Sequence, residues 1–118
     1  MSEHYRILTG ENAAEAYLVS RGATVLERNF RTRAGEIDLI VQMDGCIAFV
    51  EVKRRSTPRM GRPAEAVTPT KRRRIIQCAK QYAAMHHLLY ARLRFDVVEL
   101  TPGHINHIPA AFDATGMA

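Results

Sequence analysis

The chain has 118 residues, 47% hydrophobic and 25% charged, a length and balance that suit one domain with its own core and exclude a disordered or fibrous chain. Its longest unbroken apolar run, Cys46 to Val50, falls far short of the ~18 residues of a membrane span, and Met1-Ser2-Glu3-His4-Tyr5-Arg6 lacks the basic-then-apolar order of a secretory signal. The net charge of +5 is unevenly spread: residues 53–74 hold nine basic residues (Lys53, Arg54, Arg55, Arg59, Arg62, Lys71, Arg72, Arg73, Arg74) against one acid, Glu65, which suits either phosphate binding or a solvated basic face.

Thr9 is placed to cap a helix running to about Arg21, ended by Gly22, with Ala14, Tyr17 and Leu18 as its apolar stripe and Glu11 near the inward face of the first turn. A strand is expected over Thr24 to Phe30, then a turn around Arg33-Ala34-Gly35. Glu36 to Met43 and Cys46 to Arg54 read as two strands joined by Asp44-Gly45, a strong signal for a two-residue type I′ hairpin. That turn pairs Met43 with Cys46, and continuing the register sets Ile40 opposite Phe49, Asp38 opposite Glu51 and Glu36 opposite Lys53. Alternation then gives one wholly apolar face (Ile37, Leu39, Val41, Met43, Cys46, Ala48, Val50, Val52). The other begins with Ile40, Ile47 and Phe49 and ends in Glu36, Asp38, Glu51 and Lys53.

Residues 55–67, with Pro58, Gly61 and Pro63, read as a mobile basic loop. Thr68 and Pro69 then open a second helix whose buried stripe is Ile75, Ile76, Ala79, Tyr82 and Ala83, continuing toward His86. Lys71 falls on that stripe one turn before Ile75, whereas Arg73, Arg74, Gln77 and Lys80 point outward. His86 and His87 suit a helix end. A strand over Arg92 to Leu100, a Pro102-Gly103 turn and a short strand near Ile105 to Ile108 complete the order αβββαββ, an α/β or α+β arrangement on a mixed sheet. Cys46 and Cys78 lie 32 positions apart without metal-ligand spacing and read as reduced thiols of a cytoplasmic protein. His104 and His107, three apart on a strand, point to opposite faces and read as surface and edge histidines.

The chemistry concentrates at one end of the hairpin. Residues opposite each other have Cβ atoms about 4.5–5.5 Å apart, so Asp38 facing Glu51 is repulsive by roughly 0.2–1 kcal/mol and calls for a cation. Lys53 supplies part of it; Mg²⁺ or Mn²⁺ held by Asp38 and Glu51 would supply more, since two carboxylates plus waters is an ordinary magnesium site. Such an ion activates water and neutralises phosphate charge, and an adjacent lysine stabilises developing negative charge, a combination sufficient for phosphodiester hydrolysis. The bland alternative is a set of cross-strand salt bridges, which suits Glu36 with Lys53 but not Asp38 with Glu51. Glu36 and Glu65 are candidates for the surroundings of the metal. Arg72-Arg73-Arg74, at a helix N-terminus, suits a phosphate clamp. No phosphate-cradling glycine loop, GxSxG or HExxH is present, which leaves ATPase, serine hydrolase and zinc protease readings without support.

Asp38 and Glu51-Val52-Lys53 resemble the D…(D/E)xK motif of the restriction-endonuclease-like nucleases. Together with Gly10-Glu11, Ala14, Tyr17-Leu18, Arg28-Asn29-Phe30-Arg31, Gly35-Glu36-Ile37-Asp38-Leu39-Ile40, Phe49-Val50, Gly61 to Val67, Lys71 and Arg94-Phe95-Asp96-Val97-Val98, the set is similar to the bacterial YraN-type family of uncharacterised endonuclease-like proteins, over about residues 9–100. That family is in turn similar to archaeal Holliday-junction resolvases. The resemblance implies a restriction-endonuclease-like core within a single domain, 1–118. It also implies a catalytic set of Glu11, Asp38, Glu51 and Lys53, with the Val52 carbonyl as a further metal ligand, and a homodimer by analogy with the resolvases. The expected activity is metal-dependent cleavage of DNA, branched or repair intermediates above all, with residues 53–74 tracking the backbone. Two alternatives are a nucleic-acid-binding adaptor whose acidic site is unused, and an interaction subunit of a larger DNA-processing machine. No membrane partner is expected.

Overall fold

The computed structural model describes residues 10–56, 67–88 and 90–114. Helix α1 (Gly10–Ser20) is followed by strands β1 (Thr24–Thr32), β2 (Gly35–Met43) and β3 (Cys46–Arg54), helix α2 (Pro69–Met85), and strands β4 (Leu93–Thr101) and β5 (His104–Phe112). The order is αβββαββ, as expected, with β5 reaching well past the short strand the sequence suggested. The strands form one mixed sheet in the order β1-β2-β3-β4-β5: β3 and β4 are parallel and all other neighbours antiparallel. The parallel pair requires a long crossover, and α2 provides it. This five-stranded sheet with two helices is consistent with the α/β nuclease-like core that the resemblance implied.

Local chemistry sets the boundaries. The Asp44-Gly45 turn has φ of +53° and +73°, the left-handed pair a type I′ hairpin needs, and fixes the expected register Met43↔Cys46 and Ile40↔Phe49. Gly22 (φ +99°) ends α1, with the Ala23 amide donating to the Leu18 carbonyl at 3.0 Å. The Thr68 side chain accepts from the Lys71 amide at 3.2 Å and caps α2. His87 (φ +57°) terminates α2, with Leu88 N–H donating to Ala83 O at 2.7 Å.

Two cores sandwich the sheet. On one face α2 lays Ile75, Ile76, Cys78, Ala79 and Tyr82 against Ile40, Ile47, Phe49, Phe95 and Val97; on the other α1 sets Ala14 and Leu18 against Leu39, Val41, Ala48, Val50 and Val98. Because both faces are covered, the central strands are apolar on both sides. Ile37 departs from the face assigned by alternation: it joins the α2-side core, packed with Phe30, its partner on β1. Both cysteines are buried and free, with Cys78 Sγ 3.2 Å from Thr32 Oγ1. Among the described residues no helix is long and apolar enough to cross a membrane.

His107 is not a plain surface histidine. Its Nε2 lies 2.8 Å from Oδ2 of the fully buried Asp96, which also accepts from Arg94 Nε and Nη2, both at 2.8 Å, and from the Ala110 amide at 3.0 Å. Burial alone would raise the Asp96 pKa, but these donors outweigh it and hold the carboxyl below its ordinary range. The pairing crosses from β4 to β5, out of reach of spacing arguments within one strand.

Candidate active site

The hairpin ladder runs from the turn as far as Leu39↔Val50. One step on, Asp38 Oδ2 accepts the Val52 amide hydrogen at 2.7 Å, so a side chain takes the donor that continued pairing would use. Beyond this point β2 stays with β1 (Glu36↔Arg31) and β3 with β4 (Val52↔Val98, Lys53↔Glu99). The expected continuation, Asp38 opposite Glu51 and Glu36 opposite Lys53, is therefore corrected: the ladder stops short of both pairs, and Glu36 instead meets Arg31, Nε to Oε2 3.2 Å. At this fork lies a cleft of about 380 Å³, lined by Glu36, Asp38 and Glu51 from the strands and by Thr68, Thr70, Lys71 and Arg74 from the start of α2.

Glu51 is the buried centre of the cleft, 4% exposed. Its Oε2 faces two ammonium groups: Lys53 Nζ at 3.8 Å and, closer, Lys71 Nζ. The Asp38 carboxyl shares the cleft with Glu51 and feels its charge. Burial, reinforced by the Glu51 charge, pushes the Asp38 pKa up to about 7 against the opposing pull of the Val52 amide. Burial works against the charge of Lys71, yet the hydrogen bond and charge of Glu51, with those of Asp38 and Glu36, leave its pKa raised.

Glu11 enters from α1 and belongs to an adjoining pair of acids. With its amide nitrogen turned toward them, Asn29 donates to Glu11 Oε1 at 2.9 Å and to Glu36 Oε2 at 3.2 Å. Burial first, then the charge of Glu36, raises the Glu11 pKa; Asn29 moderates the shift. The helix gets this close because Gly10 has no side chain: a Cβ there would lie 3.0 Å from Leu100 Cδ1 and 3.3 Å from Arg54 Nη2. Asn29 itself has φ +51°, a left-handed conformation that asparagine tolerates better than most residues.

The basic residues divide. Arg73 and Arg74 are exposed at the start of α2, Arg72 is half-buried, and Arg54 is exposed beside Gly10. Arg55 is tied to the buried Glu99 at 3.0 Å and so serves the fold. Lys71, expected among the phosphate binders, faces Glu51 instead. Arg59, Arg62 and Glu65 lie outside the described residues. Sequence reasoning gave no role to Asn29; an asparagine inside a strand-like run was the available signal. For Lys71 the signal was its place on the inward stripe of α2.

Among the described residues no three His, Cys, Asp or Glu side chains form a group that would hold an ion unaided. Asp38 and Glu51 provide two carboxylates, the number that magnesium commonly takes from a protein, the remaining positions going to water and phosphate. Two acids pressed together, one of them driven toward neutrality, form a donor set that a hard divalent cation would satisfy. The residues present fit such a cation, provided that Lys71 yields Glu51 Oε2.

The model of the uncharacterised protein family UPF0102 matches residues 10–100. A UPF0102 protein of Clostridioides difficile is 47% identical over 105 residues, covering 87% of this chain and 92% of its own. One from Lachnoclostridium phytofermentans is 42% identical over 117 residues (98% and 99%), and one from Symbiobacterium thermophilum 48% over 94 (80% of each). With a family model matching residues 10–100 and relatives matching over most of the chain, the chain belongs to the UPF0102 family, the YraN-type family that its motifs resemble.

Proposed function

We propose that the cleft is the site of a metal-dependent phosphodiesterase acting on DNA, with branched or repair-intermediate DNA as the substrate class. The observation that carries this reading is the carboxyl pair at the fork of the sheet, Glu51 buried and Asp38 half-buried, beside two lysines. Like charges so placed weaken a fold and are retained at sites that use them.

Asp38 and Glu51, with the Val52 carbonyl, would hold Mg²⁺ or Mn²⁺, which when bound lowers the pKa of its water and offsets phosphate charge. Asp38 keeps its orientation through the Val52 amide, and Glu51 is fixed by burial. Lys53, on the same strand face as Glu51, orients the attacking water and stabilises charge on the phosphoryl oxygens. Glu36, which lines the cleft and is joined through Asn29 to Glu11, adds further negative charge beside the pair. Arg73 and Arg74 offer guanidinium groups to backbone phosphates, which favours recognition of shape over sequence.

The test is incubation of the chain with branched, duplex and single-stranded DNA in Mg²⁺ or Mn²⁺. Cleavage that disappears in Asp38→Asn and Glu51→Gln supports the reading; cleavage that survives both overturns it. One observation favours a second reading, a DNA-binding adaptor with an unused site: Lys71 already balances Glu51 without any metal. That reading predicts salt-sensitive DNA binding and no cleavage.

A further inference from the structure

Two ammonium groups converge on a single oxygen of Glu51. Lys53 and Lys71 both face Oε2, one from β3 and the other from α2. The D…(D/E)xK pattern accounts for Lys53 and leaves Lys71 without a role. Lys71 is also the ammonium closer to that oxygen, and it lines the cleft.

We propose that Lys71 is the resident counter-ion of Glu51, leaving that oxygen when a divalent cation is bound and then pairing with a phosphate oxygen of DNA in the cleft. This rests on the nuclease reading of the same site.

Three features support the exchange. The Lys71 side chain is 46% exposed, so its ammonium can regain water or a phosphate partner on leaving the buried Glu51. Its four-carbon stem has the freedom to swing, unlike the forked guanidinium of Arg94, which is pinned to Asp96 by two bonds. Finally, Thr70 and Arg74 line the same cleft, so an ammonium turned away from Glu51 stays on the rim where phosphate would enter. Without Lys71 the apo site would hold a buried Glu51 with only the more distant Lys53 to balance it.

The experiment measures Mn²⁺ binding to the full chain through loss of the free-ion electron paramagnetic resonance signal, with no DNA present. Wild type, Lys71→Met, Lys71→Gln and Asp38→Asn are compared, alongside acylation of the Lys71 amine in the wild type with and without Mg²⁺, read by mass spectrometry. The expected result is that both Lys71 variants bind Mn²⁺ about twofold to fivefold tighter than wild type, the range that a lost competing ion pair predicts. Asp38→Asn should lose binding, and Mg²⁺ should speed acylation of Lys71. Equal or weaker Mn²⁺ binding by the Lys71 variants, with Asp38→Asn still defective, overturns the exchange and leaves the nuclease reading standing. So does acylation that Mg²⁺ leaves unchanged, a measurement that does not depend on any variant folding. If even the wild type binds no Mn²⁺, the metal site itself fails and the exchange with it.

Discussion

Asp38 accepts the Val52 amide hydrogen across the fork between β2 and β3, at 2.7 Å. The single bond does two things. It satisfies a donor stranded where the ladder stops, and it points a carboxyl at Glu51, which turns the end of a hairpin into a charged cleft.

The pH dependence of stability follows from Asp38. Its pKa is raised from 3.8 to about 7 by burial and by Glu51, so between about pH 4 and 7 the folded chain binds more protons than the unfolded one. The contribution of Asp38 to stability is therefore fully present below about pH 4 and is lost as pH rises to about 7. In metal-free buffer the denaturation midpoint should carry this downward component across that window. Added Mg²⁺ should restore stability at pH 8 and do little at pH 5. A midpoint whose response to Mg²⁺ is the same at both pH values would contradict the assignment.

Asp38→Asn separates fold from site. The amide oxygen still accepts from Val52 and the repulsion with Glu51 is gone, so at pH 8 the variant should match or exceed the wild type in stability while losing Mn²⁺ binding. Urea denaturation and calorimetric titration on the same sample check both.

Asn29 offers a backbone test. Asn29→Gly keeps the left-handed conformation at little strain, whereas Asn29→Val forces a β-branched residue to φ +51° and should cost about 1–2 kcal/mol more. Both release Glu11 from Glu36, so DNA cleavage should fall in each, independently of stability. Paired denaturation and cleavage assays distinguish the effects.

The basic residues should sort by their contacts. Arg73→Ala with Arg74→Ala should leave the melting temperature nearly unchanged and reduce the slope of log affinity against log salt by about 2. Arg55→Ala should instead lower stability by about 1 kcal/mol, because the buried Glu99 loses one of its charged partners. Binding titrations at several salt concentrations, alongside thermal melts, measure both.

Asp96→Ala should be among the most damaging substitutions, about 3–5 kcal/mol, since it removes the buried partner of His107 and the Ala110 amide and leaves Arg94 to the exposed Asp44. Chemical denaturation checks the magnitude, and Mn²⁺ affinity of the folded fraction should be unchanged.

Much of this was readable in the chain because it depends on neighbours in sequence. Asp44-Gly45 set the hairpin and its first five pairs, Thr68-Pro69 set the start of α2, and the stripe from Ile75 to Ala83 identified its buried side. What escaped depends on contacts distant in sequence. The hydrogen bond from Val52 to Asp38 ends a register that alternation would extend, and Ile37 follows Phe30 across to the α2-side core. His107 finds Asp96 eleven residues away on the next strand. Lys71 was visible on an inward stripe, but which acid it meets depends on how α2 crosses the sheet.

The most direct test of the central claim is anomalous diffraction from crystals grown with Mn²⁺. A peak about 2.0–2.3 Å from both an Asp38 and a Glu51 oxygen, with Lys71 turned off Oε2, is the predicted result. Clear density for the two carboxylates with no metal peak at saturating Mn²⁺, and Lys71 still on Glu51, would contradict it.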